Sequence, residues 1–169
     1  MRQAINPQKP LGAQSISAIQ FDPKSRDDIP QILRSLQYIY TTPELRERVF
    51  ALRAGVIPAS TREGRKGATD ASTGRPGMDQ WKILVLGTLR LGLNADFGRI
   101  HEPANQHNTL RQMLGRATGP TIPKYNLQTL KDDLHLFTPE LLDRINQEVV
   151  RAGHQLLWQT PLVGTEHAL

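Results

Sequence analysis

The sequence predicts an all-α protein, and three observations lead there. Aromatic residues make up only 5% of the 169 and hydrophobic residues 38%, lean for a sandwich or barrel. From Ile29 onward apolar residues recur at i, i+3, i+4 and i+7, the spacing of one face of a helix. Between Asp79 and Leu91 that spacing gives way to a helix apolar nearly all round, which must be surrounded by others.

The elements follow in order. Residues 1–24 contain three prolines and no helical period, and predict a flexible, extended N-terminal segment in which Gln14–Phe21 alternates weakly as a short strand does. A helix over Arg26–Tyr40 should bury Ile29, Ile32, Leu33, Leu36, Ile39 and Tyr40, with Ser25 and Asp28 as its capping pair. A second begins at Thr42-Pro43-Glu44-Leu45: Thr as N-cap, Pro at the first helical position, Glu at the positive dipole end. It buries Leu45, Val49 and Leu52, stops at Gly55, and completes a helical hairpin over 25–57. Residues 58–77, rich in Gly, Ser, Thr and Ala, read as a flexible basic linker.

The helical core spans 78–153. Asp79–Leu91 offers Trp81, Ile83, Leu84, Val85, Leu86, Leu89 and Leu91, and ends at Gly92. Asn94 should cap Ala95–Asn105, which presents Phe97, Ile100 and Ala104, and Asn108 should cap a short helix with Leu110, Met113 and Leu114, stopped at Gly115. Pro103 predicts either a helix end near Glu102 or a copy that has begun to decay. After a Gly/Pro-rich connector, Asn126–Leu134 and a helix from Thr138 complete the core, and 154–169 is an atypical tail. The phrase at Thr42–Leu45 returns at Thr138–Leu141, with Arg144 matching Arg48 and Arg-Ala-Gly closing both helices; shared capping chemistry explains this more cheaply than duplication.

Charge and motifs narrow the function. Net charge is +5, and up to Gly77 there are 12 Lys and Arg against 7 Asp and Glu, whereas the remainder balances at 9 against 9. Such asymmetry favours a polyanionic partner, because neutralised phosphates release counterions. Cysteine is absent, so disulfides and Cys-based metal sites are excluded. The histidines at 101, 107, 135, 154 and 167 lack metal-ligand spacing, and Asp27-Asp28 and Asp132-Asp133 do not resemble a two-metal cluster. No nucleophile elbow, Walker loop or dinucleotide fingerprint occurs. With no apolar h-region and no long apolar run, the expected location is cytoplasmic and nucleoid-associated, away from membranes.

The pair Ala95–Asn105 and Asn108–Gly115, joined by a polar turn of three to four residues, has helix-turn-helix proportions. Thr109, Arg111, Gln112 and Arg116 would face a groove, with Arg99 on the preceding helix. Arg62, Arg65, Lys66 and Arg75, interleaved with Gly and Ser, would follow the phosphate backbone.

Over Asp22–Pro30, Leu36–Tyr40, Gly74–Gly115 and Leu127–Asp132 the chain resembles transposases of the ISNCY insertion-sequence group, whose N-terminal region is InsH-like. Trp81-Lys82-Ile83-Leu84-Val85-Leu86-Gly87 and His107–Gly115 are the most specific phrases, within a likeness running from about Pro7 to Leu157. The resemblance implies a helical region that binds double-stranded DNA at the element's terminal repeats and pairs with itself or with full-length transposase. It also implies that catalysis belongs to a later RNase H-like domain, where three acidic residues hold two metal ions. Because WQTPLVGTEHAL does not look like the family's continuation, the expectation is a frameshift or early stop. On that expectation magnesium belongs to the missing domain, and this chain has no catalytic residue, cofactor or activity of its own. The alternative is a helical interaction module that pairs with or inhibits full-length transposase.

Overall fold

A computed structural model describes residues 4–5, 11–56, 77–117 and 123–159, with side chains as far as 153. The linker cations Arg62, Arg65, Lys66 and Arg75 lie outside the described residues. Within them the all-α expectation is borne out: a 3-10 turn at Ile16–Ala18 precedes α1 (Asp28–Thr41), α2 (Pro43–Ala54), α3 (Gln80–Gly92), α4 (Phe97–Gln106), α5 (Asn108–Met113), α6 (Leu127–Leu134) and α7 (Pro139–Gln159).

Helix α3 is the centre. Trp81, Ile83, Leu84, Val85, Leu86, Gly87 and Leu89 are all buried, so the helix has no solvent face and α1, α4 and α6 pack around it. Its start is fixed twice, by Asp79 accepting from the Lys82 amide at 2.9 Å and by Asp133 of α6 accepting from the Met78 amide at 3.4 Å. Gly87 lets α3 approach the chain beyond α6 closely, because a Cβ built there would fall inside the Phe137 side chain, which is itself fully buried. Arg53 crosses from α2 to donate to the Gln80 carbonyl and is buried completely, a core position that helical periodicity assigns to Leu52.

Several boundaries differ from expectation for identifiable reasons. Gln14–Phe21 is no strand. Ile16 and Ile19 point inward, and the carbonyls of both accept from Gln37 Nε2 at 2.8 and 2.9 Å, so a side chain of α1 takes the place of a neighbouring strand. Asp27, rather than Ser25, caps α1 by accepting from the Ile29 amide at 3.1 Å. Asp96, rather than Asn94, caps α4 by accepting from the Arg99 amide at 2.8 Å. Asn94 instead has φ 47°, the left-handed turn just past the end of α3. In each case a carboxylate oxygen accepts from an orphan amide at the positive end of the helix.

Pro103 does not end α4, which continues through it to Gln106. A proline inside a helix costs about 3 kcal/mol. The cost is offset by anchorage of the turn that follows, where Ala104 is buried and Asn105 is bonded across to Tyr125.

Gly87→Val should destabilise the protein by about 1–3 kcal/mol, the usual cost of overpacking, because neither α3 nor Phe137 has room to retreat. Urea denaturation reads the difference directly, and an unchanged midpoint would contradict the close approach.

Candidate nucleic-acid interface

The two short helices α4 and α5 are joined by His107 alone, not by the turn of three to four residues that helix-turn-helix proportions require. His107 serves both ends. Its amide donates to the Pro103 carbonyl at 2.9 Å, closing α4, while its Nδ1 accepts from the Leu110 amide at 3.2 Å, opening α5 in the place expected for Asn108. An imidazole nitrogen can accept in this way only when it carries no proton. The other end of α5 is pinned from inside: Trp81 Nε1 donates to the Met113 carbonyl at 2.8 Å, and Leu110, Met113 and Leu114 are fully buried. Gly115 then turns the chain with φ 68°, a conformation that L side chains rarely adopt.

The chain returns to α4 at Tyr125. Asn105 holds that residue's backbone at both ends, Oδ1 accepting from its amide at 2.7 Å and Nδ2 donating to its carbonyl at 3.3 Å. His101 Nε2 lies 2.7 Å from the same carbonyl. Arg116 stacks over the Tyr125 ring at 3.7 Å and donates to the Pro123 carbonyl. The turn after α5 is therefore fastened to the segment before α6 by an aromatic ring, a guanidinium and a side-chain amide.

The predicted site residues divide accordingly. Arg116 stacks on Tyr125, and Arg111 donates to the Ala117 carbonyl at 3.3 Å. Both residues shape the turn, and both are half-buried. Arg99 is exposed on the first turn of α4, and Thr109 and Gln112 are found on α5, both half-buried. The surface is thus narrower and less charged than the sequence alone suggests. Among the described residues no group of three or more His, Cys, Asp or Glu is placed to hold a metal.

Sequence reasoning did not gather Arg48, Arg144 and Arg151. They line a cleft of about 630 Å³ between α2 and α7. The signal was present, since Arg48 and Arg144 occupy the same place in the two Thr-Pro-Glu-Leu helices, but only tertiary packing sets those helices side by side.

No known family, curated protein or solved structure matches the chain significantly. No helix among the described residues is long and apolar enough to cross a membrane.

Burial pushes the Tyr125 phenol up from 10.0 to about 12; the charge of Arg116 opposes the shift and that of Asp79 adds to it. The folded value lies above the unfolded one, so the stability this group contributes is fully present below pH 10 and is lost as pH rises towards 12. The stability difference between wild type and Tyr125→Phe in urea melts should be constant below pH 10 and shift against wild type above it. A constant difference throughout would contradict a buried phenol.

Proposed function

We propose that the chain is the DNA-binding, non-catalytic N-terminal part of an insertion-sequence transposase of the ISNCY group, holding duplex at the element's terminal repeats. The observation that carries this reading is the α4–α5 pair. Two short helices are locked to a buried helix by Trp81 and to the Tyr125 segment by Asn105, with Arg99 exposed and Thr109 and Gln112 partly so. A rigid scaffold bearing a few polar side chains that reach outward is what backbone positioning and base-edge contact require. Support also comes from the charge bias of the first half, with Arg62, Arg65, Lys66 and Arg75 supplying sequence-independent attraction to phosphates. Those cations set affinity and salt dependence in this reading; Thr109 and Gln112 set preference for one sequence over another.

A gel-shift with terminal-repeat duplex should give tighter binding than random duplex at moderate salt. Arg65→Ala together with Lys66→Ala should flatten the plot of log affinity against log salt by about one unit for each phosphate no longer neutralised. Equal affinity for both duplexes would refute specific recognition, and absence of binding to either would refute the reading altogether.

A further inference from the structure

The cleft between α2 and α7 is built from matching positions of two similar helices. Six of the seven residues lining it form three corresponding pairs: Arg48 with Arg144, Leu52 with Glu148, and Gly55 with Arg151. The same correspondence buries Leu45 and Leu141, and Val49 and Ile145, in the common core. Capping alone does not account for the likeness, because Thr138 Oγ1 accepts from the Leu141 amide whereas Thr42 makes no side-chain cap. What the two helices share is an apolar face turned inward and an arginine turned into the cleft.

The cleft carries an excess of positive charge. Arg48 reaches Glu148 at 4.0 Å and Arg151 reaches it at 3.4 Å, with about half of the Arg48 side chain and two thirds of that of Arg151 still exposed. One carboxylate, itself largely covered, thus orients two guanidiniums without neutralising the group, and Arg144 adds a third cation. Each guanidinium presents five N–H donors in a planar fork, so a single contact with Glu148 leaves most of them for another acceptor. That fork matches the oxygens of a phosphate in two parallel bonds, where a lysine offers only a point charge. An open groove walled by such forks suits an extended anion running along it better than a small enclosed one.

We propose that this cleft is a second docking site for the phosphodiester backbone of duplex DNA, with Arg48, Arg144 and Arg151 as the phosphate-contacting residues and Glu148 as the carboxylate that competes with phosphate for two of them. The inference rests on the DNA-binding reading above and extends it to a surface remote in sequence from α4–α5. It adds sequence-independent affinity, since guanidiniums laid along the phosphates meet oxygens that every sequence presents.

The test compares the full chain with Arg48→Gln/Arg144→Gln, with Glu148→Gln, and with a control of equal charge change, Arg34→Gln/Lys131→Gln, at exposed positions outside the cleft. Binding to random and terminal-repeat duplexes is measured from low to moderate salt, with a thermal melt of each variant. The cleft pair should lower affinity for both duplexes alike and make the salt slope shallower by about two relative to wild type, at about 0.9 for each phosphate. Glu148→Gln should tighten binding by about two- to five-fold at low salt, the scale of one surface charge interaction. If wild type binds duplex and the cleft pair behaves like the control, this inference falls and the DNA-binding reading stands. If wild type binds no duplex, both fall. Should the cleft pair fail to fold, Glu148→Gln decides, and unchanged affinity in that variant overturns the site.

Discussion

Burial of α3 on every side is the constraint on which the other helices depend. A helix with Trp81, Ile83, Leu84, Val85, Leu86 and Leu89 distributed around it cannot rest against one neighbour with its back to water. Surrounding it fixes where α1, α4 and α6 lie, and Gly87 removes the one side chain that would hold Phe137 away. Because α3 is satisfied by helices of its own chain, it presents no apolar stripe to a partner. The polar contacts at its start act as alignment pins: Asp79, Asp133 and Arg53 bring α6 and α2 to the first turn of α3.

That arrangement also decides what α5 can do. Six residues form a marginal helix in isolation, yet α5 is held at one end by the Trp81 indole and at the other by the His107 cap. The latch of Asn105 on Tyr125 closes the loop between α5 and α6, and Arg116 is drawn onto the ring. Guanidiniums that the sequence offered as DNA contacts thereby acquire structural duties. The polar groups left outward are few and sit on a rigid base, the condition under which a small number of contacts can discriminate.

Much of this was legible in the residues. The stripe from Ile29 to Tyr40 marked α1, and the uninterrupted apolar run put α3 at the centre. Helix ends were less legible because several capping residues stood within two positions of one another, and local spacing alone does not rank Asp27 over Ser25 or Asp96 over Asn94. The one-residue joint at His107 was hidden because capping by an imidazole is not part of the usual N-cap vocabulary of Ser, Thr, Asp and Asn. Alternation in Gln14–Phe21 misled, because Ile16 and Ile19 face inward three residues apart across a 3-10 turn, and Gln37 supplies the hydrogen bonds a strand would have sought. The arginine cleft was invisible for a different reason: its halves are about a hundred residues apart, and only tertiary packing brings them together.

In the proposed complex one helical scaffold presents two sets of cations and hydrogen-bond donors to a single duplex. Arginine side-chain NMR of the full chain, titrated with terminal-repeat DNA at moderate salt, reports on each guanidinium separately. The expected result is a shift of the Nε–Hε resonances of Arg99, Arg48, Arg144 and Arg151 at the same protein-to-DNA ratio, while that of the fully buried Arg53 stays in place. Unmoved resonances at saturating duplex, or shifts spread evenly over all arginines and abolished by a modest rise in salt, would contradict it.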